Sequence, residues 1–248
     1  MAGKYALELD HEHAGWLVSP GDRYLDVDPL IRRKEGVFGL HPGTHRGFWA
    51  WVEGSPYGER RDGAILVFDA EGREVERLEF HDATVSELGM PALDAAHAKP
   101  GALSLRIQIK AAEIRAGGTA STDARGDAVP IAGCRLQLAG AEPSTHGVHT
   151  IEAFTLRTQP GRHPYNSLQR IVLAVDPGAA WDEALVGRHA ALEYLAADAT
   201  SVLVRIEFKV AGVRAATMAT RNDRPGRTLV ELACRELQFA LEPAPGPE

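Results

Sequence analysis

Histidine spacing is the first feature of this chain that could carry chemistry, and the chemistry it suggests is metal binding. His11 and His13 flank Glu12 in a His-Glu-His run, His41 and His45 flank Pro42-Gly-Thr44, and His146 precedes His149 by three positions. On a strand or loop, His11 and His13 project to one side, as two imidazole ligands would. Catalytic zinc asks for three converging ligands and an open fourth position. The spacing supplies pairs only, without a His-Glu-x-x-His helix or an identifiable base, so solvated loop histidines are the favoured reading. Nucleophile and phosphate motifs are missing too: there is no Gly-x-Ser-x-Gly, no glycine loop ending in Gly-Lys-Ser/Thr and no Gly-x-Gly-x-x-Gly. The many carboxylates select no acid–base pair. The sequence therefore assigns no catalytic residue, no cofactor-binding residue, no metal ligand and no cofactor, and the chain reads as non-enzymatic.

Other conspicuous side chains have structural readings beside functional ones. Trp49 and Trp51 could stack on a ligand, but Trp181 recurs at the corresponding place, which favours helix anchors. Arg32-Arg33-Lys34 and Arg60-Arg61 are short basic runs, either solvated or facing an acidic neighbour chain. Cys134 and Cys234 are too few for a disulfide scaffold or a four-cysteine zinc site, and each sits in an alternating apolar stretch as a small buried thiol would.

Composition bounds the partners. The 248 residues are 44% hydrophobic, enough for packed cores, and carry a net charge of −7, which argues against nucleic-acid sequence recognition. No apolar run approaches the roughly 20 residues that span a bilayer. Met1-Ala-Gly-Lys4, followed by Asp10, His11, Glu12 and His13, resembles neither a signal peptide nor a stable membrane anchor. A soluble, cytoplasmic protein is the expectation.

The elements that must position these side chains come in two sets. Residues 116–130 are small, polar and Gly-rich without a period, as a linker is, and separate a domain at 1–115 from one at 131–248. Blocks repeat across the break. Tyr5-Ala-Leu7-Glu-Leu9 matches Cys134-Arg-Leu136-Gln-Leu138 at an offset of 129, and Trp51 matches Trp181 at 130. Val75-Glu-Arg77-Leu78-Glu-Phe80 matches Leu203-Val-Arg205-Ile206-Glu-Phe208 at 128, and Leu105-Arg-Ile107-Gln-Ile109 matches Arg235-Glu-Leu237-Gln-Phe239 at 130. This is the pattern of a domain duplication. Period-two alternation dominates both halves and predicts strands with one buried face. One short helix per half is expected: His45–Val52 in the first, and in the second a segment capped by Asp176, with Pro177 in its first turn and Trp181 and Leu185 on one face. The fold class is mainly β, with two tandem β-sandwich or partial-barrel domains.

Both halves resemble the inner tail-tube protein of contractile phage tails and related injection systems. In the first half the resemblance rests on Tyr5-Ala-Leu-Glu-Leu-Asp10, Trp49-Ala-Trp51, Arg60-Arg-Asp-Gly-Ala-Ile-Leu-Val-Phe-Asp69, Arg77-Leu-Glu-Phe80 and Pro91-Ala-Leu-Asp-Ala95. In the second it rests on Val148-His-Thr-Ile-Glu-Ala-Phe-Thr155, Leu192-Glu-Tyr-Leu-Ala-Ala-Asp198 and Val230-Glu-Leu-Ala-Cys-Arg-Glu-Leu-Gln-Phe239. The resemblance implies a structural role: tube-like domains join edge to edge into rings, and stacked rings form the tube. It also implies self-association into rings, contacts with neighbouring tube, hub or sheath proteins, and a place in a virion tail or injection-system particle after assembly in the cytoplasm. Two departures stand out. Such subunits usually have one domain, and Ile171–Val175 has no obvious counterpart in the first half, where His41–His45 reads as a turn. Three copies of a two-domain chain would supply six tube-like domains, a trimer with pseudo-sixfold symmetry suited to a baseplate hub or tube initiator. The alternative function is a metal-binding β-sandwich enzyme or ligand-binding module that uses the histidine pairs.

Overall fold

The computed structural model describes residues 4–18, 34–42, 46–94, 101–119, 131–139, 148–157, 169–176, 181–217 and 227–239. The fold is mainly β, as the alternation predicts. In chain order the strands are β1 (Lys4–Leu9), β2 (Glu12–Leu17), β3 (Lys34–Pro42), β4 (Arg61–Phe68), β5 (Glu74–Met90), β6 (Leu93–Asp94), β7 (Leu103–Ile109), β8 (Ala111–Ala116), β9 (Gly133–Leu138), β10 (Val148–Ile151), β11 (Phe154–Arg157), β12 (Gln169–Val175), β13 (His189–Leu195), β14 (Val202–Thr217) and β15 (Thr228–Phe239). Helix α1 (Arg46–Gly54) lies between β3 and β4.

The chain divides into two compact units. One comprises Met1–Gly89, Ala102–Pro130 and Arg157–Arg162; the other comprises Met90–Gly101, Ile131–Leu156 and His163–Glu248. Of the Gly-rich stretch, Ala116 ends β8, and residues 120–130 lie outside the described set.

In the first unit the antiparallel pairings run in a closed circuit, β1–β4–β5–β7–β3–β2–β1. The β1–β2 hairpin turns on Asp10 and His11, which take positive φ of 49° and 69°, the backbone that a two-residue hairpin requires. Strand β5 is long enough to change neighbours along its length: its first part pairs β4 and β8, and its second part pairs β7. Ladder irregularities around Asp82 and Val85 let it change partners. Gly63 sits where β1 and β5 crowd β4, because a Cβ there would meet the Glu8 carbonyl oxygen at 2.4 Å and the Phe80 ring at 2.6 Å.

Helix α1 is anchored through its aromatic face. Phe48, Trp51 and Val52 are fully buried, and Trp51 Nε1 donates to the Ala83 carbonyl at 3.0 Å. The Ser55 hydroxyl donates to the Trp51 carbonyl and accepts from the Val85 amide, tying the helix end to β5. Both tryptophans are therefore helix anchors, with Trp49 buried beside Phe48.

The second unit repeats the same order of pairing, β9–β13–β14–β15–β12–β10. Among the described residues β10 does not pair with β9 and instead pairs with β6, so the circuit stays open. Three sequence expectations change here. Strand β12 does have a counterpart, namely β3, which pairs β7 as β12 pairs β15; His41 and Pro42 end that strand instead of forming a turn. Residues 235–239 do not stand at the place of β7. The β15 residues that pair with β12 are 228–234, while 235–239 pair with the first part of β14, as β8 pairs with β5. Finally, the second helix is a 3-10 turn over Glu183–Leu185, capped by Asp182, whose carboxylate accepts from the Ala184 amide at 2.9 Å. Asp176 follows β12 directly, and residues 177–180 lie outside the described set. Trp181 and Leu185 are both buried, as their spacing predicts.

Candidate functional site

The histidine pairs do not converge among the described residues. His11 sits on the hairpin turn with its side chain 94% exposed, 4.0 Å from the Glu8 carboxylate. His13 packs edge-on against Trp16 at 5.2 Å. His41 lies on β3 in register with Trp16, while His45 and His146 fall outside the described residues. His149 Nε2 lies 2.6 Å from Asp176 Oδ1, an ion pair when protonated. Of the basic runs, Arg32 and Arg33 lie outside the described residues, and Arg60 is exposed. Arg61 is used internally: it donates to Asp10 Oδ2 at 2.6 Å and to Glu59 Oε1 at 2.7 and 2.9 Å.

Both thiols are free. Burial pushes Cys134 up to about 11 and raises Cys234 further, so neither is a thiolate near neutral pH. Tyr194, opposite Cys134 in the β9–β13 ladder, is fully buried, and its hydroxyl has no hydrogen-bond partner among the described residues. Burial, and secondarily Cys134, raises its ionisation far above the usual phenol range.

Charged side chains concentrate on one face of each sheet. In the first unit Arg77 reaches from β5 to Glu8 at 2.7 Å and to Glu74 at 2.8 Å, and both carboxylates are buried. Glu74 first, then Glu8, hold the guanidinium above its ordinary value. In the second unit Arg205, the repeat partner of Arg77, reaches Glu193 at 2.7 Å. Glu193 is 1% exposed, is bonded by Arg135 at 2.5 Å, and accepts from Gln137 at 3.1 Å. These groups are consumed in holding strands together.

Farther along the same face of the first unit, Glu79 and His81 from β5 meet Glu113 from β8, with one ligand-capable atom from each within 4.8 Å of the others. His81 Nδ1 stands 3.1 Å from Asp62 Oδ2. The Asp82 backbone amide, and next His81, hold Asp62 below the usual carboxylate range. Arg115 bonds Glu79 at 3.1 Å and also bonds Glu113. Sequence reading passed over this cluster. Alternation puts Glu79 and His81 on one face, but nothing local announces that β8 folds back beside β5. The other long edge of β8 has no strand partner among the described residues, and Ile114 on it is 65% exposed.

Comparisons with known proteins define no class beyond this mainly-β, two-unit fold. No family model matches the chain. No curated protein matches it either. Among solved structures, the chain aligns with MrkH, described as a novel c-di-GMP dependence transcription regulatory factor. That alignment has 10% identity, covers 98% of this chain and 78% of that chain, and gives a TM-score of 0.21, too low to bear on fold or function.

Proposed function

We propose that this protein is a structural component of a contractile phage tail or phage-like injection system that forms or initiates the inner tube by ring assembly. The reading starts from the family resemblance in both halves. The observation that carries it is the repetition of one strand-pairing order in two units. Two like units per chain let three chains present six like domains, the device by which a threefold hub meets a sixfold tube. The β8 edge, with Ile114 exposed upon it, is where a strand of a neighbouring chain would add, since an unpaired edge is a template for pairing. In this role the chain has no catalytic step; its partners are further copies of itself and neighbouring tube, hub or sheath proteins.

The deciding experiment measures native mass at several concentrations, with negative-stain images of the same sample. Rings of about three copies with a central hole are expected for an initiator, and about six for a tube subunit. Ile114→Lys should shift the sample toward monomer while leaving its far-UV circular dichroism unchanged. A strict monomer at every concentration, for wild type and variant alike, would refute self-assembly.

A further inference from the structure

Glu79 and His81 stand two positions apart on β5, so both leave the same face, and Glu113 lies directly opposite Glu79 on β8. Two carboxylate oxygens and an imidazole nitrogen thus come within 4.8 Å of one another. Around a tetrahedral ion with bonds of about 2.0–2.1 Å, ligand atoms are spaced by roughly 3.4 Å. The remaining closure is within the rotamer freedom of side chains at a half-exposed sheet face.

Asp62 supplies an orientation. With Nδ1–H donated to Asp62 Oδ2 at 3.1 Å, His81 keeps the Nε2 lone pair for a metal, the carboxylate–histidine arrangement that fixes imidazole ligands. Arg115 supplies the charge that the two carboxylates need, bonding both. Its side chain is 56% exposed, and exposed ion pairs are weak and screened, so it is a displaceable counter-ion.

We propose that Glu79, His81 and Glu113 bind a divalent transition-metal ion of the zinc class, which displaces the Arg115 guanidinium and pins the edge strand β8 to β5. Mixed imidazole and carboxylate donors suit such an ion, with water completing its coordination. The second unit is a built-in control. Where the first unit has Glu79, His81 and Glu113, the second has Glu207, Lys209 and Gln238, with an ammonium in place of the imidazole. The site stands independently of ring assembly.

The test is calorimetric titration of the chelator-stripped full chain with Zn²⁺. One ion per chain is expected. His81→Ala and Glu113→Gln should each weaken binding about tenfold or more, since loss of even an outer-shell partner of a metal site costs about that much. Arg115→Gln should tighten it, a gain that a misfolded variant cannot produce. Absence of saturable binding by the wild type would overturn the proposal. So would binding unchanged in His81→Ala and Glu113→Gln, which would place the metal at other histidines. Unchanged affinity in Arg115→Gln would overturn the counter-ion role.

Discussion

The two units share a pairing order and differ in what they place on the second face of the sheet. In the first, that face carries Ala6, Trp16, Ala64, Leu66 and Phe68, a buried apolar cluster. At the matching ladder positions of the second, Arg135 replaces Ala6, Gln137 replaces Glu8 and Glu193 replaces Leu66. Closure accompanies the difference: β2 lies beside β1 and brings Trp16 onto the apolar face, whereas among the described residues β9 has no such neighbour. A strand with a partner on each side can bury apolar side chains on both faces. Charge is present on the second face in both units: Glu8 on β1 meets Arg77 at 2.7 Å beside the apolar cluster, while Arg135 on the marginal strand β9 meets Glu193 on β13 at 2.5 Å. Backbone pairing and face chemistry are thus separable: the repeat preserved the pairing and the shared arginine while exchanging the side chains around it.

Removal of the shared arginine should break the comparison most sharply. Arg77→Ala withdraws the guanidinium that two buried carboxylates share, and breaking such a pair costs about 3–5 kcal/mol. Arg205→Ala should cost less, about 1.5–3 kcal/mol, because Glu193 keeps Arg135 and Gln137. Urea denaturation of both variants checks the order. Equal losses would mean that the two clusters do the same work.

Gly63 sharpens the comparison at one ladder position. It pairs with Leu9 and Phe80, just as Ala190 pairs with Leu138 and Phe208. The second unit accepts a methyl group where the first meets a carbonyl oxygen and a ring. Gly63→Ala should therefore destabilise by about 1–3 kcal/mol, through overpacking. Ala190→Gly should cost only about 0.5–1 kcal/mol, through backbone entropy. Thermal unfolding of the pair measures both.

The smallest effect is expected at the turn that both units cap with aspartate. Asp69 accepts from the Glu71 and Arg73 amides between β4 and β5, and Asp198 accepts from the Thr200 and Ser201 amides between β13 and β14. The Ser201 hydroxyl, followed by the backbone amides, lowers Asp198 from 3.8 to about 2. A carboxylate lowered by folding adds stability above its unfolded value and loses it as pH falls through the folded one. Asp198→Ala should therefore lower stability slightly at neutral pH, by an amount that shrinks as pH falls from 3.8 to about 2, so that its acid-unfolding profile is flatter across that window. Equal slopes for wild type and variant across that window would show that the turn does not feel the charge.

Much of this was legible in the residues. The repeats at 128 and 129 fall on matching ladder positions, with Leu7 facing Ile65 as Leu136 faces Leu192, and Leu78 facing Ile65 as Ile206 faces Leu192. The tryptophans anchor helical turns, and Cys234 is a buried core thiol. The last block was misplaced because spacing along the chain does not reveal that β7 and β8, interrupted at Lys110, are continuous as β15 in the second unit. The cluster of Glu79, His81 and Glu113 was hidden for the same reason.

Alternation, turn residues and aromatic spacing act over a few residues, so the amino-acid order by itself determined the mainly-β character, the turn at Asp69–Gly72 and the existence of two like halves. Which strands lie side by side is settled by contacts tens of residues apart. Only the tertiary structure decided that the first circuit closes and the second stays open, that Leu66 and Glu193 occupy one equivalent place, and that His81 faces Glu113. The physical reason is that a strand's buried face tells which side of a sheet it lines, while its neighbour is chosen by packing and hydrogen bonding across the whole unit.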